Sequence, residues 1–84
     1  MGTILIVDDD AQLRHSFEKI LNEEGHAVRT APTGEDGIAM VKEEVPDLVI
    51  MDLRLPGMDG LEAFRLIHDL VPKLSVIVMT AHGT

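Results

Sequence analysis

Three short apolar runs, Ile4 to Val7, Leu48 to Met51 and Val76 to Met79, constrain what this chain can fold into more than any other feature. Each is rich in Val and Ile, and none alternates cleanly between apolar and polar residues. A strand with one wet face alternates; an unbroken apolar run suits a strand buried on both faces, as in a parallel sheet covered by helices. A fourth, weaker strand is expected from His26 to Thr30, where Ala27 and Val28 are the only apolar residues. Its composition fits a sheet edge.

Helical spacing fills the intervals. In the first, Leu13, Phe17, Ile20 and Leu21 fall on one face, with Gly25 as the stop. The second opens with Thr33, has Asp36 three residues on in the manner of a capping box, and carries Ile38, Val41 and Val45 before Pro46. The third opens with Asp59, has Glu62 three residues on, and directs Leu61, Phe64, Ile67 and Leu70 inward before Pro72. The order strand, helix, strand, helix, strand, helix, strand implies an α/β layer fold with right-handed crossovers. Eighty-four residues hold one such domain and a single core.

Composition narrows the partners. Apolar residues at 45% and charged residues at 26% suit a folded globular chain rather than a disordered one. A net charge of −8 disfavours direct binding to nucleic acid or anionic lipid and favours cations and basic surfaces. There is no cysteine for a disulfide or a thiolate site, and Asp8, Asp9 and Asp10 interrupt the first apolar run too early for a signal peptide. No apolar stretch approaches the ~20 residues needed to span a bilayer. A cytoplasmic location is therefore expected.

In open parallel sheets ligands bind beyond the carboxyl ends of the strands. The residues there are Asp8 and Asp9 after the first run, Asp52 after the third and Thr80 after the fourth. Carboxylates held close together destabilise the fold unless a cation neutralises them, and a hard divalent ion is the natural remedy. Magnesium, which uses one or two carboxylates and keeps waters, suits so few protein ligands; the spacing of a calcium-binding EF-hand is absent. Asp52 follows four apolar residues, where an unpaired charge would be costly, so a purely structural role fits it poorly. Asp9 or Asp10 is expected to cap the first helix. For Thr80 the alternative is an ordinary strand-end hydroxyl, since Thr is a common strand residue.

Leu53 to Gly60 is rich in turn residues and sends the chain sharply from the third strand into the third helix. Its backbone can aim a carbonyl at a metal, and Arg54 could contribute its main chain while its side chain faces solvent or a phosphoryl oxygen. The histidines His15, His26, His68 and His82 show no metal-ligand spacing, and only His82 lies near the strand-end residues. The methionines read as core filling.

With those residues in place, the chain resembles the receiver domain of two-component response regulators, over Ile4 to Gly83. The resemblance is carried by Ile4-Leu5-Ile6-Val7-Asp8-Asp9-Asp10, by Asp47 to Gly60 with Asp52 at its centre, and by Val76-Ile77-Val78-Met79-Thr80-Ala81. Met79 to Gly83 is further similar to regulators of the enhancer-binding, ATPase-linked class. The resemblance implies a flavodoxin-like (CheY-like) doubly wound parallel sheet, incomplete, with strand order 2-1-3-4. It implies that Asp52 accepts a phosphoryl group from a histidine kinase or phosphotransfer protein. Asp9 and Asp52 would ligate Mg2+ directly, Asp8 mainly through water, and the Arg54 backbone carbonyl would complete the protein ligands. Thr80 would be the switch hydroxyl. Any chemistry would be limited to self-catalysed phosphotransfer and autodephosphorylation.

Family members continue through a fourth helix, a fifth strand carrying a functional lysine, and a fifth helix. Residues 1–84 are therefore expected to form a partial receiver domain, and none of Lys19, Lys42 and Lys73 matches that lysine. The fourth strand would be an open edge, which predicts a homo-oligomer through that strand and the uncovered sheet face. Two rival readings compete. One is an assembly unit with an inert site. The other is a haloacid-dehalogenase-type phosphatase using Asp8 as nucleophile and Asp10 as acid/base, but Gln12 stands where that family has Thr or Val, and Asp52 goes unexplained. A dinucleotide-binding fold fails because aspartates replace the phosphate-binding glycines.

Overall fold

The computed structural model describes residues 2–79. Within them the elements run β1 (Thr3–Val7), α1 (Ala11–Glu23), β2 (Ala27–Ala31), α2 (Gly34–Glu43), β3 (Leu48–Asp52), α3 (Gly60–Leu70) and β4 (Ser75–Met79). The four strands form one parallel sheet in the order β2-β1-β3-β4, with the weakly apolar β2 at an edge. The flavodoxin-like architecture and the order 2-1-3-4 are as the sequence implies.

Alternation along the strands sorts the core. Leu5 and Val7 of β1 and Val49 and Met51 of β3 join Val41 of α2 and Ala63 and Ile67 of α3 in one buried cluster, with Val76 of β4 packed against it. The intervening residues Ile4 and Ile6 are buried on the opposite row, the side on which α1 packs against β1 and β2. The chain passes from β3 into α3 at Gly60, where a Cβ would lie 2.6 Å from Asp52 O, Leu53 Cα and Leu53 O. Only glycine permits that approach.

Each helix start has a cap of the type the sequence suggests. Asp10 caps α1, its Oδ1 accepting from the N–H groups of Gln12 at 2.9 Å and Leu13 at 3.2 Å. Thr33 Oγ1 accepts from Asp36 N–H at 3.1 Å at the start of α2, the forward half of a capping box. Asp59 Oδ1 accepts from Leu61 N–H at 3.1 Å at the start of α3. Gly25, at φ +94°, ends the turn after α1 in a conformation that side chains resist.

Several inward assignments need correction. Ile20 is 57% exposed, Leu61 50% and Leu70 45%; Val45, 52% exposed, lies beyond the end of α2. On α3 the buried residues are Gly60, Ala63 and Ile67, and on α2 they are Gly34, Gly37 and Val41. Val41 and Ile67 are buried and Ile38 and Phe64 pack against the core as the periodicity implies, but small residues, Gly37 on α2 and Ala63 on α3, share the seam with them and narrow it, so the flanking Leu61 and Leu70 fall outside. At Gly37 a Cβ would come within 2.8 Å of Val7 Cγ2.

Candidate metal and phosphoacceptor site

Register brings the site together. Val7 of β1 pairs with Met51 of β3, so the next residues, Asp8 and Asp52, stand side by side at the carboxyl ends of adjacent strands. Asp9 follows on the turn into α1. One carboxylate oxygen from each of Asp8, Asp9 and Asp52 lies within 4.8 Å of the others. Asp8 and Asp52 are buried, at 1% and 2% exposure, while Asp9 faces solvent and leaves the cluster open on one side.

The surrounding backbone holds these groups in place. Asp8 N–H donates to Ala31 O at 3.0 Å, and Asp8 Oδ1 accepts from Asp10 N–H at 2.8 Å. Asp52 Oδ1 accepts from Arg54 N–H at 3.0 Å, and Leu53 N–H donates to Met79 O at 3.0 Å, which ties the loop after β3 to the end of β4. Asp8 Oδ2 is buried with no hydrogen-bond partner among the described residues. Burial pushes the Asp8 carboxyl above the usual carboxylate range; the Asp10 N–H opposes this, and the charges of Asp52, Asp9 and Asp10 add to it.

A buried, unpartnered carboxylate oxygen beside two more carboxylates is a donor set suited to a cation. Oxygen-only donors, with one side open to water, fit a hard divalent ion such as magnesium. Arg54 is exposed, and its backbone N–H contacts Asp52 Oδ1. Thr80, the expected switch hydroxyl, lies outside the described residues, as does His82. Of the two capping candidates it is Asp10 that caps α1, which frees Asp9 for the cluster.

Two residues of the site were not singled out by the sequence. Arg14 Nη1 donates to Asp8 O at 2.6 Å, anchoring the turn after β1 from one turn into α1. Gly60, read only as part of a turn-rich stretch, sets the height of α3 against the Asp52 carbonyl.

This fold and this acidic cluster match a known family over nearly the whole chain: residues 4–84 fit the response regulator receiver domain, and the protein belongs to that family. It is 41% identical over 83 residues to the transcriptional regulatory protein AfsQ1 of Streptomyces coelicolor, covering 99% of this chain and 36% of the relative. It is 37% identical over 82 residues to the DNA-binding transcriptional regulator NtrC of Proteus hauseri, covering 98% of this chain and 17% of that protein. A CheY-like receiver domain protein from Methanospirillum hungatei superposes with a TM-score of 0.95 at 36% identity, over 100% of this chain and 67% of the other. The chain thus spans about a third of AfsQ1 and under a fifth of NtrC. The protein is a receiver domain of two-component signalling. Receiver domains generally bind magnesium through an acidic pocket and interact with histidine kinases or phosphotransfer proteins. Among the described residues no helix is long and apolar enough to cross a membrane.

Proposed function

We propose that Asp52 is the phosphoacceptor of this domain, and that Asp8, Asp9, Asp52 and the Arg54 backbone carbonyl hold Mg2+ beside it. The observation that carries the reading is the buried, unpartnered Asp8 Oδ2 within a cluster that contains the equally buried Asp52. Magnesium, when bound, would supply positive charge against the carboxylates and the incoming phosphoryl oxygens.

The chain's own groups do the positioning. Arg54 N–H fixes Asp52 Oδ1, and Oδ2 carries no hydrogen bond from the described residues. Oδ2 is therefore the attacking atom: a P–O bond forms there as the P–N bond to the donor histidine breaks, and the imidazole nitrogen takes up a proton. Burial of Asp52 holds its carboxylate in one orientation for in-line approach, and the exposed side at Asp9 admits the donor. Thr80 turns toward a phosphoryl oxygen after transfer. The cognate donor is a histidine kinase or phosphotransfer protein, the location is cytoplasmic, and the NtrC relative supports the enhancer-binding class suggested by Met79 to Gly83.

As a partner of its own kind, the 84-residue chain offers β4. Its outer edge has no strand beside it among the described residues, Ile77 is 51% exposed and Val78 36%. For these residues taken by themselves, edge backbone groups and exposed apolar area support association through that edge and the neighbouring sheet face.

The test of the phosphoacceptor reading is incubation with acetyl phosphate and magnesium followed by peptide mapping. One phosphoryl group on Asp52, absent from Asp52→Asn and absent without a divalent ion, is expected. Modification of Asp8, as a phosphatase would show, or of no residue, as an inert assembly unit would show, overturns it.

A further inference from the structure

Two adjoining cavities of about 230 and 270 Å³ open on the outer surface between α2 and α3 and share Lys42 and Leu70 in their walls. Together they make one groove. Seven large apolar side chains are exposed among the described residues, and three of them, Val45 at 52%, Leu66 at 40% and Leu70 at 45%, gather here. Leu66 and Leu70 are one helical turn apart and present a continuous stripe. Such a concentration marks a contact surface rather than the scattered exposure usual on a monomer.

The charges say what fits. The groove carries one cation, Lys42, and one anion, Asp69, each the penultimate residue of its helix. Neither makes an ion pair within the chain among the described residues, whose ion pairs join Arg29 to Glu43 and Glu44. A chain of net charge −8 repels its own copies over most of its surface, but this strip is locally neutral and apolar. Both helices follow β-strands in the same parallel sheet and run in the same sense. A two-fold axis lying along the groove would set α2 of one copy over α3 of the other without changing their heights. Lys42 would then face Asp69 of the partner, and this would occur twice, as a two-fold interface requires.

We propose that the α2–α3 groove is the contact surface for a second copy of this chain, with Lys42 of each copy paired to Asp69 of the other around Leu66 and Leu70. The groove lies toward the ends of α2 and α3 that precede β3 and β4, opposite the carboxyl ends of the strands where the aspartates sit. Pairing there leaves the phosphoacceptor site open. The surface is small beside the ~800 Å² per partner of a standard interface, so the association is weak and concentration-dependent.

Sedimentation velocity over a micromolar to millimolar range tests this, in an Ile77→Lys background that removes association through the β4 face. Circular dichroism checks that each variant is folded. A concentration-dependent dimer is expected, with its dissociation constant weakened by about tenfold or more in Lys42→Asp and in Asp69→Lys, each of which opposes like charges. The double exchange Lys42→Asp with Asp69→Lys restores the pairing and the affinity, and Leu66→Glu abolishes the dimer with the charged pair intact. A monomer throughout the range overturns the proposal. So does a dimer indifferent to the single exchanges, or one that the folded double exchange fails to restore.

Discussion

The two faces of the sheet are built from similar sequence but finished to different degrees. On the α2 and α3 side, two helices meet Leu5, Val7, Val49 and Met51 and bury Val41, Ala63 and Ile67 nearly completely. On the other side, among the described residues, the amphipathic α1 contributes no buried residue, Ile20 is 57% exposed, and Leu48 and Ile50 of β3 stay half-buried. Apolar periodicity tells which way a residue points. Burial also requires a layer wide enough to cover it, and among the described residues α1 packs chiefly against β2 and β1.

The largest test of that contrast is a pair of truncations. Ile67→Ala, on the finished face, is expected to cost about 2–5 kcal/mol, because the residue is fully enclosed and the cavity cannot collapse against the sheet. Ile20→Ala on α1 should stay within about 0.5 kcal/mol, as for other exposed positions. Urea denaturation measures both, and equal losses would break the comparison.

Much of this was legible beforehand. The Val and Ile runs announced the parallel strands, and the short polar side chains at Asp10, Thr33 and Asp59 announced the helix starts, because caps act locally and leave their mark in adjacent residues. Asp8, Asp9 and Asp52 could be grouped because a parallel sheet in register collects its strand ends. What could not be read was how wide the inward seam is: Val41 and Ile67 face the core as expected, but Leu61 and Leu70 do not. Gly37 and Gly60 draw α2 and α3 so close that small residues share the seam and Leu61, Leu70 and Val45 are left outside. The Arg14 contact to the Asp8 carbonyl was equally hidden, since it depends on how α1 leaves the turn.

The carboxyl edge sharpens the contrast from another direction, because stability is held back there by charge rather than by missing cover. Magnesium at about a hundred times its dissociation constant should stabilise the fold by ~2.7 kcal/mol, read from thermal denaturation. Asp52→Asn should lose most of that gain. An undiminished gain in the variant would mean that the ion binds elsewhere.

Without metal, Asp8→Asn should raise stability by about 1 kcal/mol, since it removes a buried charge with an unpartnered oxygen. A loss of stability in metal-free buffer would indicate that the Asp8 charge is already compensated within the fold. The smallest effect is the pH dependence of that difference. Because the Asp8 carboxyl is pushed above the ordinary value of ~4, the folded chain retains a proton there that the unfolded chain has released. Its contribution is therefore favourable below that value and is lost as pH rises through the elevated one. The advantage of Asp8→Asn should accordingly vanish toward ~pH 4 and grow toward neutrality. Urea midpoints of the two proteins across that range measure it, and a constant difference would contradict the assignment.

The central claim is that the acidic cluster serves Asp52 as the acceptor of a phosphoryl group. A structure of the chain soaked with magnesium and beryllofluoride, which mimics an acyl phosphate, tests it most directly. The account predicts the adduct on one Asp52 carboxylate oxygen, with a metal ion held by Asp8, Asp9, the other Asp52 oxygen and the Arg54 carbonyl. An adduct on Asp8, or a metal bound without any contact to Asp52, would contradict it.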